Sequence, residues 1–199
     1  MLEEKLSAAT KRIMDSTKPI EVVSPEEAKE IIAQYTAAVE GNFVPWMCAS
    51  VIYCRSLQGR YAASENLDCE IRDDHQGMLR RFAKSAEAEP EPQHYERVRE
   101  QVENMRYLVG ERDGLLALAV MAAVENTSLG FIPYLAELAK LRGSEDLEYT
   151  DIHGEADIDH AKQFVWALEH EIKEHEVIGF KIDRAIKGTV DYFSTIFSV

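Results

Sequence analysis

The most apolar run in the chain, LLALAVMAAV at residues 115–124, ends directly in a glutamate, Glu125. With its flanks (113–126) it reads as a buried central helix, because nearly every position is apolar and no face is left for water. The run falls short of the roughly 18 apolar residues that a membrane span needs, so a core helix is the expectation. A carboxylate at the end of such a run is costly to ionise unless it is paired or coordinated. Its bland alternative is a helix-end residue reaching solvent or a structural Arg. The fold therefore has to surround one apolar helix and find a partner for one acid.

The rest of the chain is consistent with helices doing the surrounding. No segment alternates apolar and polar residues as a half-buried strand does, and there is no internal repeat. Leu2–Ser16 reads as a first amphipathic helix, broken at Pro19. Ser24-Pro25-Glu26-Glu27 is a helix start, with a capping Ser, Pro at the first helical position and acids in the first turn. That helix runs through Tyr35 toward Gly41 and continues over 43–55 after a kink at Pro45. Further helices are expected over 61–86 (with a break near Arg72-Asp73-Asp74), 94–109, 113–126, 133–141, 151–177 and 178–199, with loops at 86–93 and 143–150. The 199 residues, 46% of them apolar, suit one domain over 1–199. An all-α bundle of seven or eight helices is the natural architecture.

A net charge of −14 argues against nucleic acid or an anionic membrane as partner, since phosphate contacts want Lys or Arg. The N-terminal stretch lacks the basic start and apolar heart of a signal peptide, so a cytoplasmic location is the expectation. Cys48, Cys54 and Cys69 have no CxxC spacing and support neither a disulfide framework nor a zinc ribbon.

The chemistry concentrates in YTDIHGEADIDHAKQF. His153, Asp157 and His160 are spaced by four, three and seven, steps that return to nearly one face of a helix. Two imidazoles and a carboxylate on one stripe make a metal half-site, with Asp157 and His160 able to grip one ion. Other donors must come from elsewhere. Glu125 is one candidate. His75 is another, with Glu70 and Asp68 five and seven positions before it. On an unbroken helix the seven-step pair shares a face and the five-step pair does not, which favours Asp68. A break at Asp73-Asp74 would favour Glu70. Three His and three carboxylates suit iron or manganese more than zinc or copper(I), which more often take thiolate.

These segments resemble the haem-oxygenase-like di-iron oxidases and oxygenases, in particular the branch of chlamydial death-domain-associated proteins. ENLDCE (65–70) followed by His75 is similar to a family segment whose acidic residue four after the Asn is a ligand, here Glu70. AAVENTSLGFIP (122–133) is similar to the segment giving a lone Glu before an Ile-Pro step, here Glu125. YTDIHGEADIDHA (149–161) matches the family's His-x3-Asp-x2-His. The likeness extends over residues 25–199 and implies a TenA/PqqC-like bundle without haem. It implies Glu70, His75, Glu125, His153, Asp157 and His160 as both metal ligands and catalytic residues. They would hold two Fe(II), or a manganese–iron pair, with O2 as co-substrate. A small, amino-acid-derived metabolite would be oxidised by N-oxygenation, C–C cleavage, desaturation or a related step. An electron donor and a homodimer are compatible with this expectation.

Two other functions compete. A metal-free thiaminase-like hydrolase on the same fold would need Cys48, Cys54 or Cys69 as nucleophile. A non-catalytic helical binding protein would use the acidic surface against a basic partner. Among the other histidines, His170 and His175 fall in EHEIKEHE, expected to be a solvated face. Glu91 and His94 spell Glu-x-x-His between prolines, which reads as a loop. Asp151 and Glu155 face away from the main stripe. Tyr35, Phe43, Trp46 and Tyr53 read as core aromatics.

Overall fold

A computed structural model describes residues 2–176 and 178–198. Val177 and Val199, which end two of the expected helices, lie outside the described residues. Among the described residues there is no strand, and the α-helices are α1 (Leu2–Ser16), α2 (Pro25–Val39), α3 (Phe43–Tyr53), α4 (Leu57–Arg72), α5 (His75–Ser85), α6 (Pro92–Gly110), α7 (Gly114–Leu141), α8 (Glu148–Glu171) and α9 (Gly179–Phe197), with short 3-10 turns at Ile20–Val22 and Ile172–Glu174. The bundle is all-α, as the missing strand pattern implies.

Helix starts follow side-chain chemistry. Ser24 accepts from the Glu27 amide while the Glu27 carboxylate takes the Ser24 amide, closing a capping box ahead of Pro25. Ser56, Asp74 and Asp113 cap α4, α5 and α7 through their side chains alone, accepting from the amides of Gly59, Gly77 and Leu116.

Four boundaries differ from the sequence expectation. The break between α2 and α3 falls at Gly41 (φ +73°), a left-handed position that glycine takes freely, and not at Pro45. Pro45 sits in the first turn of α3, where its missing N–H costs nothing. Next, α7 runs unbroken for 28 residues with Pro133 inside it. Pro133 and Leu129, whose carbonyl it leaves free, share the exposed face, so water can satisfy that oxygen. Third, α6 begins at Pro92, so His94 is on the helix and buried, not in a loop. Its Nδ1 accepts from the Glu91 amide at 2.8 Å and its Nε2 lies 3.4 Å from Glu30. Last, α8 starts at Glu148, within the expected 143–150 loop.

The central helix is α7, packed on α1, α2, α3, α6, α8 and α9. By length and composition α7 could cross a membrane, contrary to the expectation that no segment would, but 83% of its most apolar window is buried under the surrounding helices. Gly114 lets its first turn touch α3, since a Cβ there would lie 2.2 Å from the Tyr53 carbonyl oxygen.

One buried acid ties the far end together. Glu171, at the end of α8, accepts from the backbone amides of Arg55 and Ser56 (2.9 and 2.8 Å), from the Ser56 hydroxyl (2.7 Å) and from His175 (2.9 Å). The Glu171 side chain is 0% and that of His175 3% exposed, which corrects the expectation of a solvated His175. The charged spelling of EHEIKEHE hid an inward Glu–His pair four residues apart.

Candidate metal centre

Four helices, α4, α5, α7 and α8, and the break between the first two deliver the six candidate donors. Asp74 adopts a left-handed conformation (φ 54°) and caps α5 through its side chain. This interrupts α4–α5 between Glu70 and His75 and resets the helical phase. Glu70 Oε1 and His75 Nδ1 therefore come within 2.8 Å. Asp68 points the other way: its side chain is 66% exposed and paired with Arg72 at 2.9 Å. The preference for Asp68 on unbroken-helix geometry is thereby corrected in favour of Glu70. Glu125 lies mid-way along α7, 4% exposed, not at a helix end.

The six residues converge in two trios. Glu70, His75 and His153 place one donor atom each within 4.8 Å of one another, and Glu125, Asp157 and His160 do the same. Across the trios' inner distances, His153 Nε2 is 3.8 Å from Glu70 and His160 Nδ1 is 3.9 Å from Glu125. The His75 and His153 rings meet edge to face at 4.6 Å. The α8 stripe is split: His153 joins the first trio, while Asp157 and His160 join the second. One helix serves both halves, where the spacing alone had suggested one.

Neighbouring groups aim these donors. His153 Nδ1 lies 2.7 Å from the Tyr149 carbonyl, which can only accept, so Nδ1 carries a proton and Nε2 is turned toward Glu70. The Tyr149 hydroxyl bonds that of Tyr35 at 2.7 Å, and burial raises both phenols' pKa values. Ser128, a turn beyond Glu125, donates to the Glu125 carbonyl at 2.7 Å and lies against Asp157. Asn66, a turn before Glu70, donates to Gln163 on α8 at 2.7 Å and joins the two helices beside the site. Sequence reasoning missed Tyr149, Ser128, Asn66 and Gln163 as supports, since nothing distinguishes them in the chain from ordinary core polar residues.

Electrostatics divide the trios. Burial alone would raise the Glu70 carboxyl, but His153 and His75 outweigh it and hold it at about 2. Burial, then the negative charges of Asp157 and Glu70, push Glu125 well above the usual carboxylate range. Asp157 is pushed up to about 6, chiefly by burial, with His153 and Ser128 opposing. Burial lowers His160, whereas His153 ends raised because Glu70 and Asp157 overcome its burial. Glu125 and Asp157 are thus two buried acids of like charge. Among the described residues no Lys or Arg lines the cavity they share. Such a pair is stable when a cation lies between its members.

The cavity over the trios measures about 50 Å³ and is walled by Tyr35, Trp46, Leu79, Phe131 and Phe193. The other flagged residues lie apart from it. Cys48, Cys54 and Cys69 do not line it. Burial, then Glu171, pushes the Cys54 thiol up to about 12, the reverse of an activated nucleophile. His94, His170 and His175 do not line it either, and Asp151 and Glu155 are exposed.

An all-helical bundle that gathers two His–carboxylate trios defines a helical protein with donors suited to iron. The family model for iron-containing redox enzymes matches residues 33–181, and the chain belongs to that family. A search of curated proteins gives no match.

Proposed function

We propose that the protein is a non-haem, O2-dependent oxidase or oxygenase that uses a pair of iron ions to oxidise a small, amino-acid-derived metabolite. The observation carrying this is the pair of trios, Glu70–His75–His153 and Glu125–Asp157–His160, five of whose six members line one cavity without a neutralising Lys or Arg among the described lining residues. In this reading each trio holds one ion. Three carboxylates nearly neutralise two ferrous ions, and three donors per ion leave positions for O2 and substrate. The same donors would serve a manganese–iron pair.

Bound iron supplies the redox chemistry with O2, for N-oxygenation, C–C cleavage, desaturation or a related oxidation. The chain's own residues prepare the site. Tyr149 holds the His153 ring through Nδ1, so that Nε2 is turned toward Glu70. Ser128 has one hydroxyl proton to share between the Glu125 carbonyl and the Asp157 carboxylate. The aromatic wall keeps bulk water away and holds the metabolite over the donors. A thiol hydrolase has less support, since no cysteine reaches the cavity.

Anaerobic titration with ferrous iron tests the reading. About two irons should bind per chain, with H75A and H160A each losing roughly one. Exposure to O2 should then give a transient visible absorption, absent from H153A. A chain that binds no iron under these conditions overturns it.

A further inference from the structure

The lining of the cavity is one-sided in charge. Its acids are Glu70, Glu125, Asp157 and Glu40, and it has no Lys or Arg among the described residues. The first three belong to the trios. Glu40 does not. It lies beside Val39, Gly41, Phe43, Val44 and Gln76, lining residues that are each partly or fully exposed.

Glu40 is held by Arg80, which bonds it from α5. The pair is unequal: the Glu40 side chain is 17% exposed and that of Arg80 62%. A largely buried carboxylate is therefore covered by a solvent-exposed guanidinium. Exchanging one cation for another there keeps the buried charge compensated, so an ammonium can take the guanidinium's place. The other cation at this turn, Arg106, is committed to the Asn42 side-chain oxygen at 2.9 Å and does not line the cavity.

We infer that the substrate of this cavity is a small alkylamine, whose ammonium takes the place of Arg80 at Glu40 while its hydrocarbon end lies inward among Leu79, Phe131 and Trp46. In the iron-free cavity an organic anion would have to shed water beside Glu40 with no lining Lys or Arg among the described residues to receive it. The net charge of −14 also draws cations inward and repels anions. Size limits the class. A cavity of about 50 Å³ holds about three to five waters, which corresponds to a molecule of roughly five to eight heavy atoms. This inference rests on the redox reading only in making the inward hydrocarbon the part that is oxidised. The recognition at Glu40 stands without iron.

The experiment is an NMR titration of iron-free and iron-loaded protein with n-butylamine and, separately, pentanoate. We expect n-butylamine to bind both forms, and pentanoate to leave the iron-free form unchanged over the same range. E40Q should weaken n-butylamine about tenfold, the worth of one hydrogen bond to a charged group. R80A removes the competitor and should tighten n-butylamine about two- to fivefold, which tests the claim even if E40Q fails to fold. Equal binding of pentanoate to iron-free protein, an unchanged affinity in a folded E40Q, or weaker binding in R80A overturns the inference. If n-butylamine binds as expected but the iron titration fails, the recognition stands and the redox reading falls. If iron binds and n-butylamine does not, only this inference falls.

Discussion

Glu70 and His75 are five residues apart yet meet at 2.8 Å, because the left-handed Asp74 stands between them and restarts the helix. A continuous helix would turn the two side chains about 140° apart. The meeting of Glu70 and His75 thus depends on one strained backbone position and its cap.

Replacing Asp74 tests that dependence. D74A removes the side-chain acceptor for the Gly77 amide and puts a Cβ without local hydrogen bonding at positive φ. A loss of about 1–3 kcal/mol in urea unfolding is expected, with weaker iron binding at the first trio. D74N, which retains both properties, should stay close to wild type. Equal stability of D74A and D74N would remove Asp74 from this role.

Glu125 carries an opposite expectation. In the metal-free protein it is a buried acid facing Asp157, so E125Q should stabilise the metal-free chain by about 1–3 kcal/mol while abolishing metal at the second trio. Thermal melts with and without ferrous iron measure both effects. A less stable metal-free E125Q would contradict the uncompensated-charge account.

Acid stability should report on Glu171. Burial opposes its ionisation, but the Arg55 and Ser56 amides, the Ser56 hydroxyl and His175 outweigh it and lower its pKa from 4.5. A carboxyl depressed in the folded state stabilises above its unfolded value and loses that contribution as pH falls through the folded one. Urea midpoints of wild type and E171Q should therefore differ most near neutrality and converge below about pH 4.5. A gap that widens in acid would reverse the assignment.

Gly114 sets how closely α7 meets α3. G114A would drive a Cβ to 2.2 Å from the Tyr53 oxygen and 2.5 Å from the Cys54 Cα, both backbone atoms that cannot swing aside. A cost of about 1–3 kcal/mol or more is expected, read as a lower melting temperature. G110A, where an added Cβ meets nothing within 4 Å, is the matched control.

The sequence carried the helical class, the central α7 and the α8 stripe, because periodicity and apolar runs are local signals. The choice between Asp68 and Glu70 could not be made from spacing, since it turned on one residue's backbone conformation. His175 and His94 were misplaced for a related reason. Their burial is decided by partners, Glu171 with the 54–56 turn and Glu30 on α2, that local charge density does not reveal. The kink assigned to Pro45 and the break before Pro133 overrated proline in positions where its missing N–H is harmless.

Because His153 and Asp157 hang one turn apart on the same rigid rod, α8 acts as a ruler between the two halves. The rise from one to the other is about 6 Å, fixed by backbone hydrogen bonding. The Cα positions of His153 and Asp157 keep that spacing through loop motion or breathing of α4 and α5. Only unwinding of α8 itself would let them part.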